Sequence, residues 1–444
     1  MRSFEDLKLN KPQLRALEEM KIHSPTPIQD RAIPAVLSGK DVVGLAQTGT
    51  GKTLAYLLPV LKLLTYSDQT HPRVLIIVPT RELVQQVVGV TSDLTKFQNV
   101  RVAGVYGGSN INRQKELVLE GLDILVATPG RLFDLAASGV LRLSSIQRVV
   151  LDEVDEMLLI GFRPQLMNIL DILPAKRQNI MFSATLPEEV DELIQDYFLR
   201  PKKIEIVPAG TPLERIQQVA ISVPNYKTKV NYLLYVLNRT EMEKVLIFTK
   251  NKKIADRLFE DLSEHYGSEM DVIHSNKSQN YRFASVQKFA DRETRILIAT
   301  DVVSRGMDIP EISHVINFDL PKNPEQYIHR IGRTGRARAS GDAISLFTPA
   351  EEEMLLEIEI LMLQEVPHEP LAEQIEISKL LMPEEKDRSG EQEIHNLKKD
   401  PSAPGPAFHE KKEKNRKVNL GGSYKREIKK KYKKPKKRPP KKGR

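Results

Sequence analysis

The segment AQTGTGKT, residues 46–53, combines the residue types that bind phosphate groups: glycines, a lysine and a final hydroxyl residue. Glycines let backbone N–H groups crowd around phosphate oxygens at the start of a helix. We expect Lys52 to neutralise the β- and γ-phosphates of a nucleoside triphosphate, and Thr53 to offer its hydroxyl to Mg²⁺. The alternative is a glycine-rich turn that arose by chance. The predicted phosphate-binding loop comprises Ala46, Gln47, Thr48, Gly49, Thr50, Gly51, Lys52 and Thr53.

Hydrolysis of a nucleotide also needs a carboxylate that positions a metal ion and a group that orients water. The segment LDEVD, residues 151–155, offers both at the end of a predicted buried strand. We assign Mg²⁺ binding, partly through water, to Asp152, and the attacking water to Glu153. Asp155 is expected to link neighbouring motifs. The alternative is a solvated helix start whose acids complement the helix dipole.

Two further segments suit a phosphate site. SAT, residues 183–185, follows another predicted strand, and its hydroxyl residues Ser183 and Thr185 can relay the state of the γ-phosphate by switching hydrogen bonds. HRIGRTGR, residues 329–336, is too densely charged for an ordinary packed helix. We expect Arg333 and Arg336 to stabilise charge on the γ-phosphate, a role worth about 10³- to 10⁵-fold in rate in other hydrolases. The alternative for SAT is a tripeptide without function. The alternative for HRIGRTGR is a basic surface loop.

Short apolar runs rich in β-branched residues precede most of these motifs. Each run reads as a buried strand of a parallel sheet, and stretches with helical spacing, such as 81–97 and 187–198, separate the runs. This alternation implies an α/β sheet, in which ligands bind beyond the carboxyl ends of the strands. The predicted strands of the first half lie at 41–49, 73–80, 123–130, 148–153, 179–185 and 203–207.

Strand–helix alternation starts again after the turn sequence PAGTPLERI, which follows Val207. The second half has predicted strands at 244–250, 271–275, 295–301, 314–321 and 341–348, and a helix at 351–363 closes it. We therefore predict two tandem α/β domains with parallel sheets. The predicted boundaries are 1–207 for the first domain, 208–220 for a linker, 221–365 for the second domain and 366–444 for a basic, largely disordered tail. Disorder is expected from about Pro383.

The net charge of +8 is concentrated near the C-terminus. Residues 425–444 carry 13 Lys or Arg and one acid, so the first 424 residues carry a net charge of about −4. A basic arm of this kind binds RNA with salt-sensitive, sequence-independent affinity, and Tyr424 and Tyr432 are placed to stack on bases. The alternatives are a solubilising tail, a ribosome-docking segment and a mimic of a nuclear signal.

Composition excludes several classes of protein. Because the chain has no cysteine, disulfides, thiolate metal sites and a thiol nucleophile are excluded. No apolar run approaches the roughly 18 to 20 residues of a membrane helix, and the N-terminus does not open like a secretory signal. We expect a cytoplasmic protein without a membrane partner.

The motifs, in this order and spacing, resemble the DEAD-box family of ATP-dependent RNA helicases over roughly residues 3–365, and the basic tail resembles bacterial members. The resemblance implies two RecA-like domains that use ATP and Mg²⁺ as cofactors and RNA as partner. SPTPIQ, residues 24–29, resembles the end of the family's Q motif, which implies that Gln29 reads the adenine edge and Phe4 packs near the base. A plain helix entry with Pro27 in its first turn is the alternative.

The resemblance also implies an RNA track of arginines, hydroxyls and exposed backbone amides, which bind phosphates without reading bases. On the first domain, PTREL (79–83), GG (107–108) and TPGR (128–131) resemble the family's contacts; helix caps are the alternative for Thr80 and Thr128. On the second, IFTK (247–250), QNYR (279–282) and ATDVVSRGMD (299–308) resemble the corresponding track. The implied RNA-binding residues are Thr80, Arg81, Gly107, Gly108, Thr128, Pro129, Gly130, Arg131, Gln279, Arg282 and Thr300.

Other roles follow only from the resemblance. Asp308 is expected to bind the nucleotide ribose, with a plain turn acid as the alternative. Arg305 is expected to support the closed cleft, and His329 and Arg330 join Asp155, Ser183 and Thr185 in coupling the domains.

Two positions depart from the family pattern. Lys21-Ile22 replaces the pair of glycine and aromatic residue before the Q motif, which weakens the expected stacking near adenine. Val154 stands where the family name has alanine. Valine adds apolar bulk and removes no carboxylate, so we expect the chemistry to survive.

We predict an RNA-stimulated ATPase that unwinds or remodels RNA duplexes or ribonucleoprotein, with candidate partners in the ribosome or in RNA decay. An ATP-gated RNA clamp or annealing chaperone needs the same motifs. A DNA helicase or translocase is disfavoured by Gln29, PTREL and the histidine that opens HRIGRTGR.

Overall fold

A computed structural model describes residues 2–46, 49–206, 216–239, 241–301, 312–334 and 341–385 of the protein. It contains two sheets of seven strands each, and every strand pair is parallel. The first sheet consists of β1 Val42–Leu45, β2 Val74–Ile77, β3 Val102–Val105, β4 Ile124–Ala127, β5 Arg148–Asp152, β6 Gln178–Ser183 and β7 Lys202–Glu205. The second consists of β8 Ile216–Ser222, β9 Val245–Thr249, β10 Met270–Ile273, β11 Ile296–Thr300, β12 His314–Asn317, β13 Gly341–Phe347 and β14 His368–Glu369.

The two sheets have the same strand order. The first is ordered β3-β4-β2-β5-β6-β1-β7 and the second β10-β11-β9-β12-β13-β8-β14, so each position in one sheet has its counterpart in the other. The two halves are therefore tandem copies of one α/β fold. This confirms the predicted fold class.

Helices cover both faces of the sheets, as long parallel connections require. Those of the first domain are α1 Lys11–Glu19, α2 Pro27–Leu37, α3 Lys52–Leu63, α4 Arg81–Leu94, α5 Ile111–Leu119, α6 Pro129–Ala137, α7 Val154–Leu159, α8 Arg163–Ile172 and α9 Glu188–Tyr197. Those described in the second are α10 Tyr226–Val236, α11 Lys252–Tyr266, α12 Gln279–Ala290, α13 Pro324–Ile331 and α14 Glu352–Met362, with short 3₁₀ turns at Gly267–Glu269 and Pro349–Glu351.

The sheet of the first domain is buried on both faces, which explains its continuous apolar runs. Alternate strand residues enter two cores: Val74 and Ile76 pack with α2, α3 and α4, whereas Leu75 and Ile77 pack with α6, α8 and α9. The polar motifs are excluded from these cores. They follow β1, β2, β4, β5 and β6, at the carboxyl edge of the sheet.

The domain boundaries differ from those predicted. Strand β8 begins at Ile216, inside the predicted linker 208–220, because it lies between β13 and β14 of the second sheet. Residues after Glu365 also belong to the second domain: Val366 and Ile375 are buried, and the Asn225 side chain donates to the Ser378 carbonyl at 2.6 Å. One compact unit extends to Met382. The predicted tail therefore starts too early, and its residues from 386 onward lie outside the described chain.

Candidate functional site

The predicted phosphate-binding loop connects β1 to the start of α3. Gly51 has φ of 90° and caps α3 at its N-terminus, a left-handed conformation that favours glycine. A Cβ atom at Gly51 would lie 2.4 Å from the side-chain nitrogen of Gln29. Both conformation and packing therefore require glycine at this position, as the motif predicted.

Gln29 fastens the Q motif to this loop. Its side-chain nitrogen donates to the Gly51 carbonyl at 3.0 Å, and its side-chain oxygen accepts from the Thr26 backbone at 2.9 Å. The hydroxyl of Thr26 is buried beside it without a partner among the described residues. The structure therefore brings Gln29 to the nucleotide loop, and its reading of adenine remains a prediction.

Lys52, Asp152 and Glu153 bring three charges into a buried space. Lys52 is 6% exposed, and neither its ammonium nor Oε2 of Glu153 has a hydrogen-bond partner among the described residues. Burial raises the pKa of Asp152 and of Glu153, and Lys52 acts in the opposite direction on both. Glu153 also has φ of 52°, a strained conformation for a residue with a side chain, and such strain is found at functional sites.

This donor set fits a nucleotide with Mg²⁺. Buried polar atoms without partners are costly in a folded protein, so a ligand is expected to satisfy them. Among the described residues, no group of three or more His, Asp or Glu side chains is arranged to hold a metal. An ion held by Asp152, Thr53, water and nucleotide phosphates matches the way Mg²⁺ binds in phosphate sites.

Val154 is fully buried in the core beneath the carboxylates, with 0% exposure. Replacing Val154 with alanine should lower the free energy of unfolding by about 1.5 to 2 kcal/mol, because two buried methyl groups are lost and a small cavity remains. ATP turnover of the folded variant should stay within about tenfold, because no carboxylate is removed. Urea denaturation and steady-state turnover test this; a larger loss of turnover would show that Val154 shapes the site directly.

Tyr56, one turn into α3, is a site residue that the sequence motifs did not predict. Its side chain is 0% exposed and its ring packs against Phe182, with centroids 5.7 Å apart. Burial and the neighbouring carboxylate of Asp152 raise the pKa of Tyr56 well above its usual range, so the hydroxyl keeps its proton. Thr53 also lies close enough to act on this hydroxyl. Tyr56 therefore lies near both residues proposed to hold the metal ion, and its hydroxyl is buried without a hydrogen-bond partner among the described residues.

Replacing Tyr56 with phenylalanine tests this position. The variant keeps the ring but removes the buried hydroxyl, which has no hydrogen-bond partner among the described residues and is therefore available to donate when the site is filled. The Mg²⁺ concentration for half-maximal ATP turnover should rise about three- to tenfold, the scale of one hydrogen bond to a charged group. The melting temperature should not fall, because the ring contact with Phe182 remains. Unchanged Mg²⁺ dependence would reduce Tyr56 to a packing residue. Tyr197→Phe, a tyrosine on the far helix α9, is the matched control.

Asp155 connects the acidic motif to SAT. Its Oδ2 accepts hydrogen bonds from the backbone of Ala184 at 3.1 Å and from both the backbone and hydroxyl of Thr185 at 2.9 Å. The Asp155 backbone N–H donates to the hydroxyl of Ser183 at 3.4 Å. The predicted link between these motifs is therefore present in the structure.

His329 of the second domain meets this junction. Its Nε2 lies 3.5 Å from Oδ2 of Asp155, and its Nδ1 contacts Oε1 of Glu156. Burial alone would lower the pKa of His329, but Glu156 and Asp155 outweigh it and raise the pKa to about 10. Burial likewise opposes ionisation of Asp155, yet His329 and Thr185 hold the pKa of Asp155 well below its usual range. An imidazolium between two carboxylates therefore connects the domains.

The raised pKa of His329 makes the free energy of unfolding depend on pH. Because the pKa of His329 is raised to about 10, the stabilisation from its charge is complete below the ordinary value of 6.5 and is lost as the pH rises through about 10. The difference in free energy of unfolding between the wild type and His329→Gln should therefore shrink steadily between pH 6.5 and 10. Denaturation at several pH values measures it; a difference that grows with pH would contradict the ion pair.

Arg333 approaches the same buried space from the second domain. It is 5% exposed, its Nε donates to the His329 carbonyl at 3.3 Å, and its charge counteracts the raised pKa of Glu153. Arg330 instead lies inside the second domain, where its guanidinium pairs with Asp301 and donates to the Asp319 carbonyl at 2.7 Å. Arg330 thus holds the segment that carries His329 and Arg333.

A second polar contact joins the domains at the first turns of α4 and α12. Nη1 of Arg81 donates to the side-chain oxygen of Gln279 at 3.0 Å, and Nη1 of Arg282 lies 3.1 Å from Oε1 of Glu82. The side chain of Gln279 also contacts both Arg282 and Glu82. Three residues predicted to bind RNA, Arg81, Gln279 and Arg282, therefore hold the domains together in this structure.

The remaining RNA-site candidates of the first domain lie beside this contact. Thr80 caps α4, its hydroxyl accepting from Leu83 at 3.2 Å, and Arg131 is buried where it donates to Gln114 at 2.7 Å. Gly108 has φ of 79° and packs against the Arg81 guanidinium. Added Cβ atoms at Gly107 and Gly130 would meet nothing within 4 Å. Arg131 therefore stabilises the segment that follows Gly108, while Gly107 and Gly130 leave their backbone open to a ligand.

The other candidates are placed as follows. Thr128 begins α6 with Pro129 in its first turn, Thr300 ends β11, and Phe4 is buried in a core of the first domain. Five predicted residues lie outside the described chain: Gln47, Thr48, Arg305, Asp308 and Arg336. Their roles remain predictions.

Comparison with known proteins shows to which family the chain belongs. Residues 26–193 match the family described as DEAD/DEAH box helicase, and residues 228–338 match the helicase conserved C-terminal domain. The chain is 39% identical over 368 residues to the RNA helicase CrhR of Synechocystis sp., a match that covers 82% of this chain and 73% of that protein. The chain belongs to the DEAD-box family of ATP-dependent RNA helicases. It is thus an ATP-hydrolysing enzyme, as the motifs predicted.

Other relatives of this DEAD-box protein support the same family assignment. It is 38% identical over 359 residues to the DEAD-box ATP-dependent RNA helicase CshA of Geobacillus kaustophilus, covering 81% of this chain and 76% of that one. Its structure resembles S. cerevisiae Dbp5 bound to RNA and ADP BeF3, with a TM-score of 0.76 and 29% identity over 83% of this chain and 96% of that chain. Mss116p bound to ssRNA and AMP-PNP gives a TM-score of 0.75 at 27% identity, over 84% of this chain and 79% of that one.

Glu82 and Glu156 of this DEAD-box helicase, like Tyr56, were absent from the predicted site. Each follows a predicted site residue directly, Arg81 or Asp155, and each is buried, at 8% and 1% exposure. Their partners lie in the other domain, so only the structure shows what these carboxylates bind.

Among the described residues, no helix is both long and apolar enough to span a bilayer.

Proposed function

We propose that this helicase couples RNA-stimulated ATP hydrolysis to local unwinding or remodelling of RNA duplexes or ribonucleoprotein. The observation that carries the proposal is the meeting of the two domains at the carboxylates: His329 contacts Asp155, and Arg333 approaches Glu153. The catalytic set is divided between the domains, with Lys52, Asp152 and Glu153 on the first and Arg333 on the second. Hydrolysis therefore depends on the domains being together.

The chemistry falls to residues of both domains. Lys52 neutralises the β- and γ-phosphates, and Glu153 accepts a proton from the attacking water, for which its raised pKa is suited. Bound Mg²⁺ supplies charge neutralisation at the phosphates, with Asp152 and Thr53 as its holders. Arg333, with Arg336 proposed beside it, stabilises the charge that develops on the γ-phosphate.

RNA binding is proposed to favour the closed arrangement. The open backbone at Gly107 and Gly130 and the hydroxyls of Thr80, Thr128 and Thr300 suit phosphate contacts without base reading. A strand that contacts residues on both domains binds best when the domains are together, so RNA and ATP act in concert. The solved structures of Dbp5 and Mss116p, both bound to RNA and a nucleotide, support this arrangement.

Duplex displacement separates the proposal from an ATP-gated clamp. A short RNA duplex with a single-stranded overhang should be separated in the presence of ATP and Mg²⁺, and not with a non-hydrolysable analogue of ATP. An equivalent DNA duplex is the control, and it should stimulate turnover less than RNA. RNA-stimulated turnover without strand separation would favour the clamp or annealing chaperone instead.

A further inference from the structure

A cavity of about 390 Å³ lies at the opposite edge of the first sheet from the catalytic site. Its wall includes Arg73, Arg101 and Asp123, which directly precede β2, β3 and β4 at the amino-terminal edge of the sheet. Strands of four residues separate this edge from the motifs at the carboxyl edge, about 13 Å away along the sheet. The cavity is therefore distinct from the ATP and RNA site.

The cavity wall carries two arginines, Arg73 and Arg101, and two carboxylates, Asp68 and Asp123. Nη2 of Arg73 donates to Oδ1 of Asp123 at 2.9 Å, and Nε of Arg101 donates to Oδ2 of the same carboxylate at 3.0 Å. Burial raises the pKa of Asp123, but its bonds with both arginines outweigh burial and lower it. The ionised carboxylate of Asp123 thus faces two guanidinium groups, while Asp68 lies on the rim beside Tyr66.

A third arginine, Arg148, lies outside the cavity wall beside Arg73 and brings the cluster to three guanidinium groups against two carboxylates. Arg148 begins β5 beside Arg73, and its backbone N–H donates to the Arg73 carbonyl at 3.2 Å. Among the described residues, its Nε and Nη1 are buried without a hydrogen-bond partner, and so is Nε of Arg73, a side chain only 6% exposed. Burial, and then the charge of Arg73, lower the pKa of Arg148. Buried guanidinium nitrogens without a hydrogen-bond partner are costly unless an anion satisfies them.

The rim of the cavity offers an aromatic surface. Tyr66 lines the cavity and is 74% exposed, and its hydroxyl donates to the rim carboxylate of Asp68 at 2.6 Å. Exposed aromatic rings next to basic groups are a common platform for nucleobases. A volume near 390 Å³ lies within the range of small-ligand sites, and a mononucleotide fits that range.

We propose that this cavity binds the 5′-phosphate of a nucleotide, with Arg73 and Arg101 on the phosphate, Arg148 supplying further charge and Tyr66 against the base. The 5′-phosphate belongs either to a free mononucleotide or to the end of an RNA strand. Guanidinium groups bind phosphate in a bidentate manner, which favours this ligand over a neutral one.

Equilibrium dialysis of the full-length protein with labelled 5′-CMP tests the proposal. Saturating ADP and Mg²⁺ keep the ATP site filled, and cytidine, which lacks the phosphate, is the control ligand. One equivalent of 5′-CMP should bind, and cytidine should bind at least tenfold more weakly. Absence of saturable binding, or equal binding of cytidine, overturns the proposal.

Variants locate the bound phosphate. Arg101→Gln should weaken 5′-CMP binding at least tenfold and Arg148→Gln about threefold or more, while Arg142→Gln, an exposed arginine outside the cavity wall, should leave it unchanged. Tyr66→Ala, at an exposed position that does not affect folding, should weaken 5′-CMP but not inorganic phosphate. ATP turnover should stay at the wild-type level in all four variants. Undiminished binding in Arg101→Gln and Tyr66→Ala would place the ligand elsewhere.

Short RNAs distinguish the two sources of the phosphate. A trinucleotide with a 5′-phosphate is compared with the same trinucleotide carrying a 5′-hydroxyl, again with ADP and Mg²⁺ present. If the phosphorylated RNA binds at least tenfold more tightly than 5′-CMP, the ligand is an RNA end. If 5′-CMP binds as tightly, the ligand is a free nucleotide. Equal binding of both trinucleotides, together with no binding of 5′-CMP, contradicts a phosphate site.

Discussion

Replacing Arg333 with alanine should lower RNA-stimulated ATP turnover by about 10³-fold, the lower end of the effect of an arginine that stabilises the transferred phosphoryl group. ATP binding should change by less than about threefold, because Lys52 and the phosphate-binding loop lie on the other domain. The physical reason is the placement of Arg333 next to Glu153 across the domain contact. Single-turnover hydrolysis and nucleotide titration together measure both quantities.

Two variants make this result specific. Arg239→Ala removes an exposed arginine in the loop before β9, at the amino-terminal ends of the strands of the second sheet. It should leave turnover unchanged. Arg333→Lys keeps the charge but loses the forked geometry, so it should recover only part of the rate. If Arg333→Ala weakened ATP binding as much as it slowed hydrolysis, the residue would serve binding and not the transition state.

Replacing Glu153 with glutamine should lower turnover by about 10²- to 10⁴-fold, the range for loss of a general base. Glutamine has nearly the same shape, so Asp152 and the bound nucleotide should stay in place. The variant should therefore bind ATP and RNA together and dissociate from RNA slowly, because hydrolysis no longer releases the closed state. Turnover and RNA dissociation rates in the presence of ATP measure this.

The control for Glu153→Gln is Glu120→Gln, an exposed glutamate at the end of α5 that faces solvent. It should match the wild type in both turnover and RNA dissociation. A Glu153→Gln variant that hydrolyses ATP normally would assign the attacking water to another residue. A variant that loses ATP binding would instead show that Glu153 holds the nucleotide.

The fold was largely predictable because both sheets are parallel and buried. Apolar runs of β-branched residues located β1, β2, β4, β5, β6 and β7 of the first sheet and β9 to β13 of the second. Strand β3 was missed: its sequence, VAGV, includes Gly104, where a Cβ atom would lie 2.6 Å from Val84 on α4. A glycine in a strand often indicates such a close approach, but the pattern alone does not separate it from a turn.

Strand β8 was missed for a different reason. Its sequence, IQQVAIS, contains two glutamines and an apolar run of only three residues, so it resembles a linker. It becomes a strand because its backbone pairs with β13 on one side and β14 on the other. The same pairing places β14 in the second domain, although the surrounding residues are rich in charge and proline. Neither pairing is visible in local sequence.

The catalytic site was predictable from motifs, and its contacts between domains were not. Lys52, Asp152, Glu153 and Asp155 carry chemistry that residue type and spacing reveal. The contacts of Glu156 with His329 and of Glu82 with Arg282 join residues far apart in the chain. Sequence also suggested that Arg81 and Gln279 bind RNA, whereas in the structure they bind each other. Long-range pairing decides these roles.

The most direct test of the central claim is the distance between the domains in solution. Because the chain has no cysteine, Ser92→Cys and Glu264→Cys at exposed positions, one on each domain, accept a fluorophore pair without other changes. Energy transfer should rise only when a non-hydrolysable ATP analogue and RNA are both present, and fall after either is removed. Equal transfer in the free protein, or full closure with the nucleotide alone, would contradict a catalytic site that RNA completes.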